Sequence, residues 1–129
     1  MNHSLNQATI ISLLENHLAM NLARLKCLSL ILLALVEVRC VNLAKVAGFL
    51  SSNASLESRY RRLQRFMKEI NFIPQKLARL LLEIMEIKAE EKLTLILDRT
   101  NWKFGKKDCN ILYLAVSYNG IAIPLFFFF

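Results

Sequence analysis

Apolar residues recur every three or four positions through the first half of the chain and gather into strand-like runs in the second. From Ser4 to Phe72 the pattern is helical, with Leu5, Ala8, Ile11, Leu14 and Leu18 forming one apolar stripe. The segment Leu22 to Val38 is apolar on almost all sides, so it reads as a core helix that its neighbours must cover. Val41 to Leu50 carries a shorter helical pattern. The turn residues SSNAS at 51–55 follow, with Ser55 placed to cap the next helix.

That next helix, about Leu56 to Ile70, is the most informative of this half. Leu56, Tyr60, Leu63, Phe66, Met67 and Ile70 fall within about 120° of arc, and Arg61, Arg62, Arg65 and Lys68 lie on the far side. Arg59 breaks the partition. It falls beside the apolar stripe, where it has to snorkel or sit in a frayed first turn. A short helix, a serine-rich turn and a basic helix make a helix-turn-helix pattern whose second helix suits a DNA groove or a row of phosphates. A basic solvated face on a structural helix gives the same pattern.

Pro74 opens the next helix, Gln75 to about Ile87, with Leu77, Leu80, Leu81, Ile84 and Ile87 on its apolar face. Then the period changes. Leu93 to Leu97 is a strand-length apolar run expected to be buried on both faces, and Ile111 to Tyr118 is a second β-rich run. Asn119-Gly120 is a strong hairpin signal, after which Ile121 begins a third strand. The fold class is therefore α+β. A helical, DNA-binding region at 1–72 and a connecting helical segment at 73–92 precede antiparallel strands at 93–129.

The apolar fraction of 55% excludes disorder, and 3 Gly and 2 Pro leave no room for a linker-rich or collagen-like architecture. Seventeen Lys and Arg against 10 Asp and Glu give a net charge of +7, which favours an anionic partner. Cys27, Cys40 and Cys109 are odd in number and without a CxxC pair, as expected in the reducing cytoplasm. His3 and His17 stand far from every cysteine except Cys27, so no metal-ligand spacing emerges. The apolar run Cys27 to Val36 is ten residues long, against the ~20 of a spanning helix, and extending it brings in Glu37, Arg39 and Lys45. No membrane partner is expected. A small membrane-associated protein built on Leu22 to Val38 is the last of the competing readings.

Asp98 stands directly after the first apolar run, where a carboxylate needs a hydrogen bond, a counter-charge or a cation. A salt bridge to Arg99 or Lys103, or a cap on the Asp98 to Gly105 connection, is the plain explanation. A functional site is the other. Trp102, Lys103, Lys106 and Lys107 make that connection basic and aromatic, suited to phosphate contact and base stacking, or to a solvated hairpin whose tryptophan folds over the sheet. Tyr113 and Tyr118 read as packing residues. Nothing resembles a P-loop or a Ser-His-Asp arrangement.

The stretch LTLILDRTNWKFGKKDCNILYLAVSYNGIAIPLF, residues 93–126, resembles the start of the catalytic domain of IS4-family DDE transposases, and VNLAKVAGFL with SRYRRLQRFMK resembles the family's N-terminal part. The resemblance implies the first strands of a ribonuclease-H-like domain. It makes Asp98 the first of three carboxylates that hold Mg²⁺ or Mn²⁺ for cutting and joining DNA. Such a centre needs several carboxylates converging from separate elements. The other two are expected downstream, and Asp108, in the expected connection, is no substitute. With Phe126 to Phe129 in place of a mixed continuation, the chain reads as a truncated or frame-shifted transposase that does not stably bind the metal and is inactive alone. Its partners are then DNA at transposon ends and a homo-oligomer or a mixed oligomer with a full-length transposase. The alternative is a non-catalytic DNA-binding or dimerising fragment that inhibits transposition.

Overall fold

The computed structural model describes residues 6–128; His3, Ser4, Leu5 and Phe129 lie outside them. The chain divides into two compact units, Met1–Asn71 and Phe72–Phe129. Among the described residues, the first holds four helices, and the second a helix and a three-stranded antiparallel sheet.

The helices of the first unit are α1 (Gln7–Glu15), α2 (Leu22–Val38), α3 (Leu43–Phe49) and α4 (Leu56–Glu69). Each starts at a side-chain oxygen that accepts an N–H of its own first turn, from Asn6, Asn21, Asn42 and Ser55 respectively. A cap of this kind is worth about 1 kcal/mol. Ser55 meets expectation; the three asparagines divide a stretch whose apolar pattern runs on almost without a break. Arg39 takes a left-handed φ of 52° and stops α2 without a glycine. Across residues 39–42 the chain then bends by 102° into α3. No single described helix is long and apolar enough to cross a membrane.

Packing follows chain order, α1 on α2, α2 on α3 and α3 on α4. Leu14, Leu25, Ile31, Val46 and Leu63 are core residues, Leu63 wholly enclosed. Ser29 is equally buried and meets its need for a partner by donating its hydroxyl to the Lys26 carbonyl at 2.8 Å. The helix α2 is not covered on all sides as its composition implies. Leu22 and Val36 are more than half exposed, and burial falls on Leu25, Cys27, Leu28, Ser29, Ile31 and Ala34. On α4 the same correction applies to Leu56 and Met67, which belong to the expected stripe but face solvent.

Arg59 neither snorkels nor frays. Its Nη1 donates to the Leu50 carbonyl at 2.9 Å and to the Gly48 carbonyl at 3.3 Å. The last carbonyls of a helix have no partner within it, so the guanidinium of α4 completes the end of α3. The sequence pattern misplaces Arg59 because periodicity sees only its own helix.

In the second unit α5 (Pro74–Ile84) begins at Pro74 as expected, but it ends one turn early. Glu86 adopts φ 56°, and the N–H groups of Glu86 and Ile87 return to the Glu83 and Leu82 carbonyls at 2.9 and 3.0 Å. This is a Schellman closure on a glutamate in place of the usual glycine. The sheet follows in the order β1 (Leu95–Phe104), β2 (Lys107–Tyr118) and β3 (Ile121–Phe128). Asn119 and Gly120 take φ 49° and 79°, the positive pair of a type I′ hairpin loop.

The residues expected to connect the first two strands are strand. Only Gly105 and Lys106 turn, with glycine first at φ 61°, so β1 runs through Asp98, Trp102 and Lys103, and β2 includes Lys107 and Asp108. Polar side chains from Asp98 to Asn110 suggest a loop only if the ribbon is taken to be buried, and it is not. Nor is β1 buried on both faces, since Leu95 and Leu97 are 54% and 66% exposed on an edge strand. The core of this unit is Ala78, Met85, Val116 and Leu125, with Leu81, Ile123 and Phe126 packed around it.

Replacing Arg59 by Leu leaves two helix-end carbonyls without their donor. The expected loss is about 1–3 kcal/mol in urea unfolding, whereas Arg61→Gln on the same helix costs less than about 0.5 kcal/mol.

Candidate nucleic-acid interface

Two sets of residues carry the expected contacts with nucleic acid, one in each unit. In the first, the turn at 50–55 joins α3 to α4, and the two helices are held together by packing and by the Arg59 hydrogen bonds. Arg61, Arg62, Arg65 and Lys68 are all exposed on α4; Arg61 and Lys68 lie opposite the buried Leu63, whereas Arg62 stands one turn before the buried Phe66. They are not equivalent. Arg61 lies 2.6 Å from Glu57 one turn earlier, an exposed pair worth about 0.3–0.5 kcal/mol that a phosphate could displace. Arg62 and Arg65 line a cleft of about 410 Å³ shared with the start of α2. Lys68 stands in the last turn, where a cation is favoured by the helix dipole.

In the second unit, β1 and β2 pair from Leu95↔Val116 to Phe104↔Lys107, but β3 pairs only with Leu112–Tyr118. The part of the hairpin between Thr100 and Ile111 is therefore a two-stranded ribbon beyond the third strand. Strand alternation distributes its side chains. Asp98, Thr100 and Trp102 share one face, with Trp102 67% exposed and about 13 Å along the strand from Asp98. Trp102 is thus not folded over the sheet. Arg99, Asn101 and Lys103 share the other face with Asp108 and Asn110, around an open groove of about 450 Å³. Lys106 is in the turn and Lys107 opens β2 opposite Phe104. The ribbon gathers Lys103, Lys106 and Lys107 at its tip; Lys107, paired with Phe104, shares the face of Asp98 but lies six strand positions from it, so none of them stands beside that carboxylate.

Asp98 itself is exposed, within β1 instead of following a buried strand, so burial does not account for it. Its Oδ2 accepts from the Tyr113 hydroxyl at 2.9 Å and its Oδ1 from the Arg99 backbone N–H at 2.7 Å. Tyr113 is its register partner across the ladder. The expected ion pair with the Arg99 side chain does not form; that guanidinium turns to the opposite face and donates to Asn110 Oδ1 at 3.0 Å. The hydrogen bond to Asp98, then partial burial, then the carboxylate charge hold the Tyr113 phenol above its ordinary pKa of 10.0. Periodicity had marked Tyr113 as packing alone. Its role becomes visible only once the register sets residue 98 opposite residue 113.

Among the described residues, no three His, Cys, Asp or Glu side chains come together to hold a metal ion. At Asp98 the donor set is one carboxylate with both oxygens already accepting hydrogen bonds, which does not fit the two-metal centre that the transposase resemblance implies. Asp108 lies ten residues further on, opposite Lys103 on the other face of the ribbon. The chain matches no protein-family model, no curated protein and no solved structure.

The Asp98–Tyr113 bond favours the neutral phenol in the folded chain. Its contribution to stability is present below pH 10 and is lost as pH rises through the elevated folded value. In an ultraviolet titration one tyrosine should therefore ionise above the ordinary range, and Asp98→Asn should bring it back down.

Proposed function

We propose that the chain is the part of an IS4-like transposase that binds DNA at transposon ends and carries the first strands of a ribonuclease-H-like domain. The observation that carries this reading is the helix-turn-helix arrangement of α3 and α4, with Arg61, Arg62, Arg65 and Lys68 exposed on its second helix. A helix 14 residues long with one basic, solvated side fits a major groove, and charges at its ends reach phosphates. The meander β1-β2-β3 supports the second half of the reading. So does the exposed ribbon with Trp102, Lys103, Lys106 and Lys107, since strands as well as helices lie along nucleic acid.

Complete relatives would cut and join DNA with Mg²⁺ or Mn²⁺. Among the described residues no second carboxylate joins Asp98 as a metal donor, so on this reading the metal is not stably held and the chain binds without cutting. That same combination of a basic face and an incomplete donor set favours a second reading. A chain that occupies transposon ends, or enters mixed oligomers with a full-length transposase, would inhibit transposition.

Fluorescence anisotropy with duplex DNA across a salt series tests the binding. If Arg61 and Lys68 each neutralise one phosphate and Arg62 and Arg65 together one or two, log K falls with log salt at a slope of about −3 to −4. A flat response would reject DNA binding. Purified chain with Mg²⁺ or Mn²⁺ and supercoiled DNA should produce no nicks; nicking abolished by Asp98→Ala would overturn the non-catalytic assignment.

A further inference from the structure

The cleft of about 410 Å³ in the first unit is built from two helices that the sequence treats separately. From α2 come Arg24 in the first turn and the cap Asn21; from α4 come Arg62, Arg65, Phe66 and Glu69. Three arginines and one glutamate therefore line the same cleft. Arg24 Nη2 stands 3.6 Å from Glu69 Oε2, beyond hydrogen-bond length, and both side chains are about half exposed, so the pair opens readily. The floor is apolar, from Phe66 and the buried Cys27. The start of the 17-residue α2 adds the positive end of its dipole. Asn21 already satisfies the Arg24 N–H at 2.9 Å, while the N–H groups before it have no carbonyl within the helix to bond.

A planar carboxylate takes one guanidinium fork well, whereas a tetrahedral phosphate presents oxygens to several at once. Three arginines around one opening match the second geometry. Arg62 and Arg65 also belong to the outward basic face of α4, so a phosphate seated in the cleft lies on the path of a strand that follows that face. We infer that the cleft is a phosphate clamp, gripped by Arg24, Arg62 and Arg65, that takes one backbone phosphate of a nucleic acid. The inference rests on the reading of α4 as the DNA-contacting helix and adds Arg24, a residue of the preceding core helix, to the interface.

The test uses the full chain, a mixed-sequence DNA duplex and inorganic phosphate as separate probes. Arg24→Gln should weaken duplex binding about fivefold near 0.1 M salt and leave the salt slope nearly unchanged, because Arg62 and Arg65 still hold the same phosphate. Arg62→Gln should act alike, Arg24→Lys should keep most of the affinity, and Lys88→Gln in the other unit should change nothing. Circular dichroism of each variant should match the parent. A steep slope in the parent with duplex affinity unaltered by Arg24→Gln would overturn the clamp and leave DNA binding by α4 intact. A flat slope in the parent chain would overturn both. Arginine Nε resonances that move with inorganic phosphate, with no change in duplex binding by Arg24→Gln, would mark a free-anion site and overturn the nucleic-acid assignment.

Discussion

The first unit turns on one guanidinium. Arg59 reaches back from the opening turn of α4 to the carbonyls of Gly48 and Leu50, and so joins the end of one helix to the beginning of the next. α3 has only seven residues, too few to be stable alone, and its unpaired final carbonyls would otherwise need water. Supplying donors from α4 makes the two helices fold as a pair. The direction in which α4 presents its basic side is then fixed by hydrogen bonds as well as by the packing of Leu63 and Phe66.

With α4 held in that way, its charges sort by surroundings more than by sequence. Residues that look interchangeable as a basic run differ in what restrains them. Arg59 is committed to structure, Arg61 is leaned on by Glu57, and Arg62 and Arg65 open toward α2. A count of positive residues would credit all of them to a ligand. The geometry removes one and gives the others separate tasks, which is why substitutions along this helix are expected to differ in kind and not only in degree.

The helices were legible in the sequence because their apolar spacing is regular and their ends carry Ser55 and Pro74, residues whose capping and starting roles are strong. The bounds of α2 were read as observed, but the stop of α5 before Glu86 was not, since left-handed conformation without glycine leaves no compositional mark. The ribbon was misread for a related reason. Asp98, Asn101 and Gly105 look like loop residues, but a two-residue turn needs only one glycine, and the rest extend as an exposed strand. At the candidate site, Asp98 could be singled out from position alone. Its bond to Tyr113 could not, because it depends on register, which pairs residues fifteen apart.

One irregularity in the sheet reaches further than its size suggests. Ala115 pairs with Pro124 and Leu114 with Phe126, so Leu125 is an extra residue in β3, a bulge, and both it and Phe126 turn inward. Identical rings in succession carry no information about which should point where: a strand ending in phenylalanines could slide by one place and find the same chemistry waiting. The bulge ends that ambiguity. It sets the parity of everything after it, turning Phe127 away from the face that Phe126 takes, and makes a single aliphatic side chain the index mark for an otherwise uniform tail.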